Sequence, residues 1–243
     1  MKLAFRIVAG VLGVATIGLS LPFAIGSLFS ETDAIHRFHF FSGAVGYGVL
    51  LGVSLLVCAW RPESIGPFWV AVSAGVAATL AGIVSGDFIS GVWFPAPISI
   101  VVLFLLHPAR AVLFHIDGVD VARAGLAVIA LVPASAYALT QSELQRNGVP
   151  ADPHVDFHHY SGAAAYVFAV PLAAFAGSLL VPGRRAAVWI VGVAAAGLAV
   201  SSLLLSTYTS AIDPFWAWLL LAWAFVYVGE EEFVERRPAA VAT

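Results

Sequence analysis

Long charge-free apolar runs alternate with short polar segments along the whole chain. A helix needs about 20 apolar residues to cross a bilayer, and the runs have that length. The pattern predicts spans near 5–29, 38–60, 67–86, 91–107, 121–141, 157–181, 186–206 and 211–229. The fourth run is short and carries Pro95 and Pro97, which predicts a bent or partly unwound entry. The expected fold is an all-α integral membrane protein of eight transmembrane helices. Lys2 and Arg6 ahead of the first run resemble the start of a secretory signal. That run is long and has a counterpart in mid-chain, so it is read as a helix of the mature protein.

Composition removes the soluble alternative. Apolar residues make up 61% of the 243 and charged residues 10%, more apolar surface than a soluble domain of this size can bury. With an inside start, the inner segments hold Lys2, Arg6, Arg61, Arg110, Arg123, Arg184, Arg185, Arg236 and Arg237, and the outer ones only Arg37 and Arg146. This positive-inside bias puts both termini in the cytoplasm, in a multi-pass protein of the plasma membrane whose partner is the lipid bilayer. No basic, aromatic-interleaved face suggests nucleic acid. Cys58 is the only cysteine, which excludes disulfides, paired-cysteine zinc sites and CxxC redox chemistry.

An internal repeat organises the chain. The segment from Asp33 to Tyr47 recurs 119 residues later, from Asp152 to Tyr166. Asp33, His39, Ser42, Gly43, Ala44 and Tyr47 have identical counterparts in Asp152, His158, Ser161, Gly162, Ala163 and Tyr166. Further on in each copy, Gly-Val-Ala-Ala occurs at 75–78 and 192–195. A unit of four spans keeps its orientation when repeated. Residues 1–120 and 121–243 are therefore expected to be two parallel four-helix repeats about an axis along the membrane normal.

Five of the seven histidines, His36, His39, His154, His158 and His159, fall at the outer mouths of the second and sixth spans. Asp33, Asp87, Asp152, Asp156 and Asp213 lie at the same level. On a continuous helix Asp33, His36, His39 and Gly43 share one face; so do Asp152, His158, His159 and Gly162, with His154 turned away. The candidate site is Asp33, His36, His39, Asp152, His158 and His159. Imidazoles and carboxylates at these spacings suit a divalent zinc- or iron-type ion, and two facing histidines suit a haem. Action on a lipid-soluble substrate is a third possibility, with the histidines as general bases.

A second class of reading is non-enzymatic: a scaffold, assembly or lipid-binding protein in which these residues only cap helices. Asp152-Pro153 and Asp213-Pro214 have the form of helix starts. His107 and His115 are expected to be solvated loop residues, and Glu230, Glu231, Glu232, Glu235 and Arg236 a charged juxtamembrane end. The span cores lack Asp, Glu, Lys and Arg, which argues against an ion-coupled pump and a retinal protein.

Two families resemble this chain at the repeated motif. Its layout and the Phe/Pro–Asp–His element, Phe29 to His39 and Pro150 to His158, are similar to the bacterial and archaeal membrane proteins called domain of unknown function 998. That resemblance implies a multi-span fold and no activity. Asp33-Ala-Ile-His36-Arg37 looks like the Glu-x-x-His-Arg element of haem A synthase, which also has eight spans in two halves. That family has haem-partner histidines in its fourth and eighth spans. Here the eighth has none and His107 is at the wrong end of the fourth, so the analogy is one of architecture.

Overall fold

The computed structural model describes residues 1–30, 36–88, 95–148 and 152–235. Asp33, Arg236 and Arg237 lie outside the described residues. The apolar runs fold as helices: α1 (Lys2–Ser27), α2 (Arg37–Trp60), α3 (Ile65–Ser85), α4 (Pro95–Leu106), α5 (Val121–Asn147), α6 (Pro153–Asp156), α7 (His159–Gly177), α8 (Arg184–Leu204) and α9 (Pro214–Glu235). Among the described residues six, α1, α2, α3, α5, α7 and α8, are long and apolar enough to cross a membrane. With 12 residues α4 is shorter than a span requires. α9 has 22 residues and is diluted by tryptophans and by Glu230, Glu231 and Glu232 near its end.

Local chemistry sets the ends of these helices. The Asp120 side chain accepts the Arg123 N–H at 3.1 Å and caps α5. α3 stops at Gly86, whose φ of 76° is costly for any residue with a Cβ. Residues Ala44–Val53 within α2 form π-helical turns, a wider coil than the flanking α-helical segments.

The bundle has small residues inside and large ones outside. Ala74, Ala77 and Ala78 of α3, Ala163, Ala164, Ala173 and Ala174 of α7, and Ala194 and Ala195 of α8 are buried. Leu3, Ile7, Val11 and Val14 of α1, Val128, Ile129 and Val132 of α5, and Phe215, Trp218 and Phe225 of α9 are exposed. Water would penalise that surface heavily; lipid does not, and small side chains let helix backbones approach. The approach is close: a Cβ at Gly13 would lie 2.9 Å from the Gly52 carbonyl oxygen, and one at Gly66 3.0 Å from the Gly183 backbone.

α3 packs along α7, α2 against α8, α1 against α2, α5 against α7, and α8 against α9. At the end of the bundle opposite the histidines, the loops 117–120 and 178–180 bond to each other, Asp120 N–H to Ser178 O at 2.8 Å and Leu180 N–H to Gly118 O at 2.9 Å. Arg123 is 0% exposed there and is ion-paired with Asp120, Glu230 and Glu231. Arg184 reaches Glu231 at 2.9 Å. Glu231 is thus 1% exposed and part of the core, where a charged juxtamembrane end was expected. His107 also differs from expectation. It is fully buried between Phe5 and Phe68, with ring centroids 4.7 Å away in both cases, while His115 is exposed beside Asp117.

Candidate functional site

Four imidazole rings meet where α2 and α7 begin. His36 lies 4.5 Å from His159 and 5.0 Å from His154, centroid to centroid; His39 lies 4.7 Å from His159 and 5.1 Å from His154. The fifth pair, His154 and His159, is at 5.9 Å. Nδ1 of His36 and Nδ1 of His159 are 2.9 Å apart, so one of them carries the proton and the other accepts it. His39 stacks on His159 with planes 18° apart. His39 is 5% exposed, and its Nδ1 has no hydrogen-bond partner among the described residues. Phe40 and Phe157 cover the group from the sides.

A backbone break produces this arrangement. α6 is one turn long, and His158 adopts the left-handed conformation, φ 57° and ψ 29°, before α7 starts at His159. The face predicted on a continuous helix from Asp152 to Gly162 is therefore not formed. His154, expected to turn away, joins the ring group. His158, expected to share a face with His159, is directed elsewhere: its Nδ1 is 3.0 Å from Asp87 Oδ2. His39 and His158, which the sequence comparison aligned with each other, have different neighbours. Among the described residues His158 makes no ring contact with the other four histidines.

Asp152 does what its place before Pro153 predicted. Its Oδ1 accepts the His154 backbone N–H at 2.9 Å, capping α6, and lies 3.0 Å from the His154 ring; its Oδ2 accepts the Tyr160 hydroxyl at 3.1 Å. Partial burial acts to raise the carboxyl's pKa, but the His154 N–H, the His154 ring and the Tyr160 hydroxyl outweigh it, and the net effect is a lowered value. Asp152 therefore adds stability above the usual carboxylate pKa, and that stability is lost as pH falls through its own lower value. Replacing Asp152 by Ala is expected to cost about 1 kcal/mol at neutral pH. In thermal unfolding scans the gap between the two proteins should narrow and close as pH falls below the ordinary Asp value of about 3.9.

Two further residues hold the site and were not among the candidates. Gln145 of α5 donates to the Val155 carbonyl at 2.8 Å and accepts the Ser161 N–H at 3.3 Å, tying α6 and α7 to α5. Asp87, at the end of α3, takes the Ser161 hydroxyl at 2.8 Å as well as the His158 ring. Its place among the acids at this level was visible in the sequence; its pairing depends on α3 lying along α7. Among the described residues, no three His, Cys, Asp or Glu side chains hold donor atoms in a metal-gripping arrangement. No family model, curated protein or solved structure matches the chain.

Proposed function

We propose that this protein binds a divalent cation of the zinc class at the outer face of the membrane, through His36, His39, His154 and His159. The observation that carries the reading is the close set of four rings. Four imidazoles around one tetrahedral ion, each nitrogen about 2 Å from it, have nitrogens roughly 3.3 Å and centroids roughly 5 Å apart. The five pairs here span 4.5–5.9 Å. For the donors to converge on an ion, the rings must turn about their side-chain torsions. An ion would take the place of the proton between His36 and His159 and supply a partner for His39 Nδ1. An imidazole set without thiolate favours zinc, copper or nickel over calcium and magnesium. The rings touch one another directly, which favours an ion over a haem plate between them.

Equilibrium dialysis of the detergent-purified protein is expected to give one tightly held zinc, insensitive to excess magnesium or calcium. The His36→Ala, His154→Ala double variant should lose it while staying helical. No bound zinc, with the protein folded, leaves the scaffold reading, in which these residues only lock the helix mouths.

The architecture we infer has eight spans in two parallel repeats. α9 would extend about 33 Å at 1.5 Å per residue, enough to cross the bilayer. The pairing of α1 with α2, α3 with α4 and α2 with α8 is matched by α5 with α7, α8 with α9 and α7 with α3. Tyr47 and Tyr166, equivalent in the repeat, meet edge-on at 5.1 Å. Reporter fusions at residues 64, 118 and 184 should read cytoplasmic, and fusions at 32, 148 and 210 external. An external signal at 118 would contradict both the count and the repeat.

A further inference from the structure

His158 is the one non-glycine residue with positive φ among the described residues. That backbone conformation is disfavoured for a side chain with a Cβ and recurs at functional sites. Here it separates His158 from His159 and delivers its ring to Asp87. An ionised carboxylate only accepts hydrogen bonds, so the 3.0 Å contact places the proton on His158 Nδ1. The lone pair is then on Nε2, at the far side of the ring. Carboxylates that hold a histidine in this way fix its tautomer and make it a better donor to metals.

The surroundings favour an arriving cation. Among the described residues, His158 is the sole ion-pair partner of Asp87; its carboxylate is 9% exposed, and Oδ1 has no hydrogen-bond partner. Among the described residues no Lys or Arg is ion-paired with it. The His158 side chain is 25% exposed, against 16% for that of His154, while His159 is half-buried and His36 and His39 are buried. His158 also adjoins His159, their Cα atoms about 3.8 Å apart across one peptide.

We propose that His158, held by Asp87, is the loading ligand of the site, the first donor a divalent cation meets before it passes to the four clustered rings. This rests on the cation reading above. A single imidazole holds an ion weakly, so it releases the ion to a set of several. Asp87 is the positioning residue: it keeps Nε2 unprotonated and adds the negative field. Loss of either residue then slows loading without changing the filled state.

Co²⁺ is a suitable probe because its visible absorption reports nitrogen ligation as it forms. Stopped-flow mixing of Co²⁺ with the full-length protein in micelles should show His158→Gln and Asp87→Asn loading about tenfold or more slowly, with final occupancy unchanged. ¹⁵N NMR of the metal-free protein, labelled at histidine, supplies a readout that a purely structural role would not move. His158 should be the Nδ1–H tautomer in the parent and the Nε2–H tautomer in Asp87→Asn, whose amide can donate to Nδ1. If Asp87→Asn does not fold, His158→Gln carries the kinetic arm and the parent spectrum the tautomer arm. Equal loading rates, reduced final occupancy in His158→Gln, or an Nε2–H tautomer in the parent would overturn the proposal. Failure of the parent to take up Co²⁺ would overturn the cation reading as well, whereas uptake at unchanged rates overturns the loading role alone.

Discussion

Replacing Arg123 by methionine is expected to destabilise the protein by about 3–5 kcal/mol, because it leaves buried carboxylates without their counter-charge. The guanidinium is fully buried and pairs with Asp120 at 3.0 Å, with Glu231 at 2.6 Å, and with Glu230. These contacts join the start of α5 to the end of α9, and Arg184 adds the start of α8 through the same Glu231. They hold by charge more than by aligned hydrogen bonds, since the Arg123 nitrogens have no partner of good hydrogen-bond geometry. Adding Glu231→Gln to Arg123→Met removes one of the stranded charges and should restore part of the loss. By contrast, Lys2 pairs with Glu63 on the exposed surface, where solvent screens the charges, and breaking that pair should have little effect on stability. Denaturant unfolding in one detergent would rank the three variants. A loss below about 1 kcal/mol for Arg123→Met would show that the buried network adds little beyond packing.

The second large effect lies at the other end of the bundle. His39→Phe is expected to leave the metal-free protein at least as stable as the parent, yet to abolish its stabilisation by zinc. Phenylalanine keeps an aromatic ring beside Phe38, His159 and Tyr160, and it removes a buried Nδ1 that lacks a partner among the described residues. An unsatisfied buried polar group costs roughly 1–3 kcal/mol, so its removal can be neutral or favourable. An ion that binds only the folded state stabilises it by about 2.7 kcal/mol at a hundred times its Kd. The parent should therefore gain thermal stability on zinc addition and His39→Phe should not. Equal gains in both would place the zinc elsewhere.

Much of the fold was legible in the sequence because membrane spans are written locally, as unbroken apolar runs. The six apolar helices begin and end within a few residues of the predicted spans, apart from α5, which continues to Asn147. The polar groups of α5's last turns, Gln141 and Gln145, are buried against Ser210, Val155 and Ser161, so tertiary contacts extend a helix that hydropathy cuts short. The histidine site was legible as a collection and not as an arrangement. Reading faces assumed an unbroken helix through His158, and a single left-handed residue there exchanges the roles of His154 and His158. No local signal marks that break, since positive φ is typical of glycine. His107 and Glu231 looked like loop and tail residues because they flank apolar runs. They are buried because other helices close over them: α1 and α3 bring Phe5 and Phe68 to His107, and α5 and α8 bring Arg123 and Arg184 to Glu231.

X-ray absorption at the zinc edge of the loaded protein reads the ligands of the bound ion themselves. Three or four nitrogen neighbours at about 2.0 Å, with the outer-shell scattering of imidazole rings, are expected for the histidine site. A shell of oxygen alone, or zinc that washes away from the folded protein, would contradict it.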